Sequence, residues 1–266
     1  MTQLAPAEAA PQTDWLEVAG LRMSLLKGGS GPALLVLHRD TGRGGWTPLH
    51  QALARSFTVH APALPGFDDS ARPEWMRTVS ELATVTGLAI DAIQQGPVAI
   101  LGLGFGGWVA AETAVQSPAR VASLVLHGPV GLQPAGGEIL DQFLYSTVDY
   151  IKLGFVDPEL VDQIYGETPN EETLRSWDWN REMTTRVAWK PYMFNRALPH
   201  LLNAVSAPTL VIQSAEDRIV PPAVAKRYAE LIPNARLVEL PDAGHQADLE
   251  RPTQLAAIVK DFLRPA

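Results

Sequence analysis

The sequence predicts an α/β fold: a mainly parallel sheet flanked by helices, with a helical lid inserted late in the chain. Three observations carry this. Short, continuous apolar runs rich in branched residues recur, as in "PALLVLH" ending at His38, and such runs suit strands buried on both faces of a parallel sheet. Segments of helical periodicity lie between them, and strands alternating with helices call for crossover connections. One connection, from Gly128 to Pro208, is about 80 residues long, far beyond what a crossover needs. It holds ten of the 19 aromatic residues, the enrichment a lid over an apolar pocket requires.

Trp15–Val18 and Leu21–Leu26 flank Ala19-Gly20 and read as an opening hairpin. The run ending at His38 is followed by strand-like Phe57–Ala61, Val98–Leu103, Val121–His127 and Thr209–Ser214, with Leu237–Leu240 a weaker sixth. Helical patterns fall at Pro48–Arg55, Val79–Gln94, Gly107–Gln116, Pro222–Leu231 and Pro252–Phe262. Residues 15–130 and 205–266 are therefore expected to form the core and residues 132–203 the helical lid. Residues 1–14 read as a disordered lead, because "MTQLAPAEAAPQTD" lacks the basic patch and apolar centre of a signal peptide.

The 266 residues suffice for one buried core plus an insertion. A net charge of −8 opposes binding to nucleic acid or anionic membranes, and no apolar run reaches membrane-spanning length. The absence of cysteine excludes disulfides, thiolate nucleophiles and Cys-ligated metals. Six histidines are scattered without ligand-like spacing, so no metal and no cofactor are expected. The default expectation is a cytoplasmic monomer or homodimer that takes a small apolar organic molecule as substrate or ligand.

The stretch "LGLGFGGWVA" at 101–110 joins an apolar strand directly to a small-residue helix. With "SPARVASLVLHGP", "APTLVIQSAEDRIVPP" and "LPDAGHQADLERP" following in order, it resembles the α/β-hydrolase fold superfamily, in a member with Gly104 at the nucleophile position of the elbow. The resemblance covers nearly the whole chain from Trp15 and is weakest in the lid. It implies that Asp217 is the triad acid and His245 the base, in the family's chain order. Independently of the family, a carboxylate on one ring nitrogen fixes the imidazole tautomer and leaves the other nitrogen as an aimed base. The bland alternative makes Asp217 a helix cap and His245 a surface loop residue.

The resemblance also implies an oxyanion hole from the backbone N–H groups of Phe105 and Asp40. The loop departs from the family here: "LHRDTGRGG" puts Arg39 where glycine is usual and adds Asp40. Arg39 is expected either to turn to solvent and pair with a surface carboxylate or to bring charge to the site. An inward Asp40 would repel an oxyanion and suit a cationic or hydrogen-donating group. His38, Arg39, Trp46, Trp177 and Trp189 are candidates for contact with substrate, and Trp108 is assigned to the core. Gly102, Gly104 and Gly107 also match Gly-x-Gly-x-x-Gly, but no acidic residue ends the next strand to hold a ribose.

Gly104 removes the only hydroxyl that could form an acyl-enzyme at this position. Three explanations stand: an enzyme in which His245 and Asp217 activate water or deprotonate substrate directly, as a non-covalent hydrolase, lyase or cofactor-free oxygenase would; a catalytically inactive ligand-binding pseudo-hydrolase; or a nucleophile-substituted variant of a serine esterase or C–C hydrolase. Restoring serine at 104 is expected to bring an Oγ within reach of His245.

Overall fold

The strands form where the apolar runs predict them. The computed structural model describes residues 11–264, and its eight strands are β1 (Gln12–Val18), β2 (Leu21–Gly28), β3 (Ala33–Leu37), β4 (Thr58–Pro62), β5 (Val98–Leu103), β6 (Val121–His127), β7 (Thr209–Ser214) and β8 (Ala235–Leu240). They lie in one sheet in the order β1-β2-β4-β3-β5-β6-β7-β8. The β1–β2 and β2–β4 pairs are antiparallel and every other pair is parallel. Ala19 and Gly20 both have positive φ, +52° and +73°, which gives the two-residue hairpin turn that matches strand twist.

The ten helices are α1 (Pro48–Ala54), α2 (Val79–Ile93), α3 (Phe105–Gln116), α4 (Thr147–Leu153), α5 (Glu159–Tyr165), α6 (Glu171–Ala188), α7 (Leu198–Leu201), α8 (Pro222–Leu231), α9 (Ala247–Glu250) and α10 (Pro252–Leu263). Apolar residues of α2, α3 and α8 build a core on one face of the sheet, and those of α1 and α10 build the other. Both faces are therefore covered, which is why the central strands read as unbroken apolar runs. Strand β8 is the edge, with most of its residues partly or fully exposed, so its apolar signal is weak. Residues 1–10 of the expected lead lie outside the described residues. Gln12–Asp14 belong instead to β1, where Gln12 pairs with Lys27: backbone pairing compensates for a stretch with no apolar period. Helix α3 starts two residues earlier than its pattern, at Phe105.

No strand of the sheet falls within residues 132–203, which carry α4 to α7. This insertion is pinned over the loops that follow β3, β4 and β8. The Asn180 side chain donates to the Thr41 carbonyl (3.0 Å) and to Asp68 Oδ1 (2.9 Å), and accepts from the Asp68 N–H (2.8 Å). Glu250 accepts from the N–H groups of Val156 and Gly244, tying the insertion to the loop that carries His245. A third cluster, Ile151, Phe155, Val161 and Trp177, is the insertion's own small core. Among the described residues no helix is long and apolar enough to cross a membrane.

Asn180 is fully buried, so Asn180→Ala leaves partners of three hydrogen bonds without a mate. It is expected to cost about 1–3 kcal/mol. Urea unfolding measures the loss, and limited proteolysis should show cleavage concentrated in 132–203.

Candidate active site

The site is built on the turn between β5 and α3. Gly104 caps α3 with φ 52° and ψ −112°, a conformation that favours glycine. Its N–H donates to the His127 carbonyl (2.9 Å) and its carbonyl accepts from the Gly107 N–H (3.0 Å), so the turn is held from both sides. The next glycine answers a packing demand: a Cβ on Gly106 would lie 2.4 Å from the Leu37 carbonyl oxygen. Phe105 is fully buried against Phe67 and Trp108. As the first residue of α3 its N–H has no partner within the helix.

Two loops at neighbouring strand ends bring Asp217 and His245 together. Asp217 Oδ2 lies 2.9 Å from His245 Nδ1, while its Oδ1 accepts from the N–H groups of Ile219 and Val220, both at 2.9 Å. Both side chains are buried. A carboxylate only accepts, so Nδ1 carries the proton and Nε2 is left with a lone pair. That nitrogen faces Gly104: a Cβ added there would meet Nε2 at 2.8 Å. Asp217 thus holds a turn and orients the imidazole, whereas α8 starts after Pro221 without a side-chain cap and His245 is buried, against the alternative of a helix cap and a surface histidine.

Arg39 crosses the same space. It is 3% exposed, so of the two directions left open for it the inward one is found. Its guanidinium pairs with Asp248 Oδ1 at 2.5 Å, donates to the His245 carbonyl at 2.5 Å and reaches His127 Nδ1 at 3.2 Å. Its Cγ would lie 3.2 Å from a Cβ on Gly104. Arg39 turns inward because a buried carboxylate, Asp248, is there to neutralise it. His127 is fully buried and its Nε2 lies 2.9 Å from Ser214 Oγ. Burial first, then the charge of Arg39, push its pKa well below the usual histidine value.

The remaining candidates divide. Asp40 is 2% exposed and its carboxylate accepts from the Tyr150 hydroxyl (2.9 Å), with Thr184 Oγ1 donating to its carbonyl. His38 is a correction in part: it lines the small cavity at the site, but Nδ1 donates to the Arg39 carbonyl (2.6 Å) and Nε2 accepts from the Leu64 N–H (2.9 Å). Both nitrogens are spent on backbone groups, so His38 braces the loop and has no polar atom for a substrate. Trp46 is a second correction: it stacks on His50, donates to Gln51 and presses on Gly28 at the far face of the sheet. Trp189 is a third: it is 48% exposed on the outside of the insertion, against Phe143 and Tyr192. Trp177 is buried against Tyr165 and lines a small cavity beside Arg39 and Asp248. Trp108 is in the core, donating to Glu112.

That cavity measures about 40 Å³, room for a few waters and far below the roughly 300–1,000 Å³ of a ligand pocket. A larger, open groove of about 410 Å³ lies on the insertion, lined by Glu138, Ile139, Asp141, Tyr192 and Phe194 among others. Among the described residues no cluster of three or more His, Asp or Glu side chains is placed to hold a metal. Sequence reasoning missed Tyr150, His127 and Asp248. The latter two left a signal: a histidine ends "VASLVLH" as one ends "PALLVLH", and an acid stands three residues after His245.

Residues 34–258 match the alpha/beta hydrolase family. The chain belongs to this family. Among curated alpha/beta hydrolase relatives, it is 30% identical to the 2-hydroxymuconate semialdehyde hydrolase of Pseudomonas putida, over 93% of this chain and 92% of that one. It is 25% identical to the 2-hydroxy-6-oxo-6-(2'-aminophenyl)hexa-2,4-dienoic acid hydrolase of Metapseudomonas resinovorans, over 97% and 92% of the two chains. Its fold is similar to that of a meta-cleavage product hydrolase variant (TM-score 0.80, 23% identity, 94% of this chain and 97% of that one). It is also similar to a bacterial membrane phospholipase A (TM-score 0.81, 25% identity, 95% and 86%).

The buried histidines make stability pH-dependent. Burial first lowers the pKa of His38 and His127, and lowers that of His50 to about 3. These three stay neutral in the fold, whereas the unfolded chain protonates them near pH 6.5. A lowered value places their stabilisation above that pH, and it is lost as pH falls. Each contributes a slope of up to about 1.4 kcal/mol per pH unit below about 6.5. Urea midpoints should fall steeply from pH 7 to 5; a flat profile would contradict the buried neutral assignments.

Proposed function

We propose that this alpha/beta hydrolase works without a covalent step. In this reading Gly104 occupies the nucleophile position, and His245, oriented by Asp217, is the general base. The observation that carries it is the free Nε2 of His245 aimed at the Gly104 turn with no hydroxyl to serve. His245 takes a proton from water, or directly from substrate, and Asp217 stabilises the imidazolium that forms. The backbone N–H groups of Phe105 and Asp40 are the donors for charge developing on a carbonyl oxygen. The substrate is a small, largely apolar carbonyl compound. The names of the relatives favour this class, since they act on a semialdehyde and on an oxo-dienoic acid. Residues 132–203 act as the lid and must move with Arg39 to admit it.

A second reading, a ligand-binding pseudo-hydrolase, is favoured by one observation: Arg39 and the small cavity leave little open space beside Gly104. His245→Ala separates the two. With 2-hydroxymuconate semialdehyde or a proton-abstraction probe such as 5-nitrobenzisoxazole, the enzyme reading expects a loss of about 10²–10⁴-fold in kcat/KM. Unchanged rates would sink it. A fluorophosphonate should not label the wild-type protein, and a labelled serine peptide would overturn the non-covalent mechanism.

The geometry also changes what a restored serine can do. A Cβ at 104 collides with His245 Nε2 and crowds Arg39 Cγ, and the positive φ adds roughly 1–3 kcal/mol of strain. Gly104→Ser alone is therefore expected to give no acyl burst from 4-nitrophenyl acetate. Combined with Arg39→Gly and Asp248→Asn, which clear the space and remove the stranded charge, it should give a burst that disappears on adding His245→Ala.

A further inference from the structure

The charge around the site is unevenly settled. Arg39 is neutralised by Asp248, and Asp217 faces His245. Arg43 is committed to the carbonyls of Ser24 and Ala61 and to Ser24 Oγ. Asp40 differs. It is 2% exposed, its carboxylate is held by the neutral phenol of Tyr150, and it forms no ion pair among the described residues. Its neighbour His38 is kept neutral, with burial lowering its pKa and both nitrogens engaged by backbone. A carboxylate removed from water is best matched by a cationic partner.

The surroundings point to the same sign of ligand. Burial first, then the charge of Asp40, hold the Tyr150 phenol well above its ordinary pKa, and Asp217 adds in the same direction. The phenol is thus a firm neutral donor to Asp40. Tyr192 borders the groove. Its hydroxyl donates to the Leu140 carbonyl and its phenol feels the charge of Asp40, while its side chain lines the open groove of about 410 Å³. That groove combines Glu138 and Asp141 with the rings of Tyr192 and Phe194. Carboxylates beside aromatic faces are what a cation meets favourably.

We propose that Asp40, held by Tyr150, is a subsite for the primary ammonium group of the molecule this site takes. The ammonium supplies the missing counter-charge and three donors to a carboxylate that otherwise has one. The subsite deepens the reading of the Gly104–His245 centre as the reacting end, since it makes the substrate an amino-bearing carbonyl compound. Ammonium binding itself does not depend on that chemistry.

The test compares benzylammonium with benzyl alcohol and benzoate, neutral and anionic analogues of similar shape, by isothermal titration at pH 7. The wild-type protein should bind benzylammonium at least tenfold more tightly than benzyl alcohol and show no benzoate binding. Asp40→Asn, which keeps an acceptor for Tyr150, should bring the amine and the alcohol to parity. Tyr150→Phe, which keeps the charge, should preserve the preference for the amine. His245→Ala should preserve it too, so loss of turnover in that variant together with retained amine binding upholds both readings. Retained amine preference with no effect of His245→Ala on turnover removes the dyad mechanism and leaves the subsite standing. Preference for benzoate, an amine preference that survives Asp40→Asn, or no binding of any probe overturns the proposal.

Discussion

A guanidinium cannot sit in a dry protein interior alone, and much of the site's arrangement follows from how Arg39 is accommodated. Asp248 supplies the opposing charge at 2.5 Å, the His245 carbonyl takes a second hydrogen bond and His127 Nδ1 lies within reach of the same nitrogen. Each partner is thereby constrained. His127 must present a lone pair to Arg39, so its proton sits on Nε2 and points to Ser214. The backbone of His245 is anchored from beneath while its ring is anchored by Asp217. Removing either member of the buried pair would strand a charge at a cost of about 3–5 kcal/mol.

The same constraint ties Arg39 to the turn at Gly104. A Cβ at 104 would crowd the Arg39 Cγ at 3.2 Å, so the two positions share one small volume of the interior. Close packing couples such neighbours, because an interior tolerates neither a void nor an overlap of a methylene cheaply.

Fold legibility followed burial. Strands β3, β5, β6 and β7 are covered on both faces and read as unbroken apolar runs, whereas β8 at the sheet edge alternates with solvent and was faint. The first residues of β1 carry no pattern at all, because their partner strand and not their own side chains holds them. Site legibility followed the chain: Gly104, Asp217 and His245 sit on turns whose local sequences are distinctive. Contacts made across the fold were not readable. Tyr150 meets Asp40 from 110 positions away and Asp248 meets Arg39 from 209. The misplaced tryptophans fail for the same reason. An aromatic residue in an insertion signals a hydrophobic face, but whether that face meets a pocket, as for Trp177, or solvent, as for Trp189, depends on how the insertion is docked.

The closed state bears on which activity such a site can support. The cavity lined by Arg39, Trp177 and Asp248 measures about 40 Å³, so a ligand larger than a few waters fits there only if part of that lining moves. The free energy of that rearrangement is subtracted from affinity, since apparent binding scales with the fraction of the competent form. An enzyme can use it: closure over the bound molecule excludes water and brings the aimed nitrogen of His245 to the reacting atom, so binding energy from the rest of the molecule is spent on positioning. The penalty also makes uncompensated Asp40 informative. A ligand that neutralises it recovers, on binding, part of what opening the site costs, and a neutral analogue of equal shape does not. In the proposed subsite, discrimination by charge adds to discrimination by shape, which alone is worth about 1–3 kcal/mol per methylene.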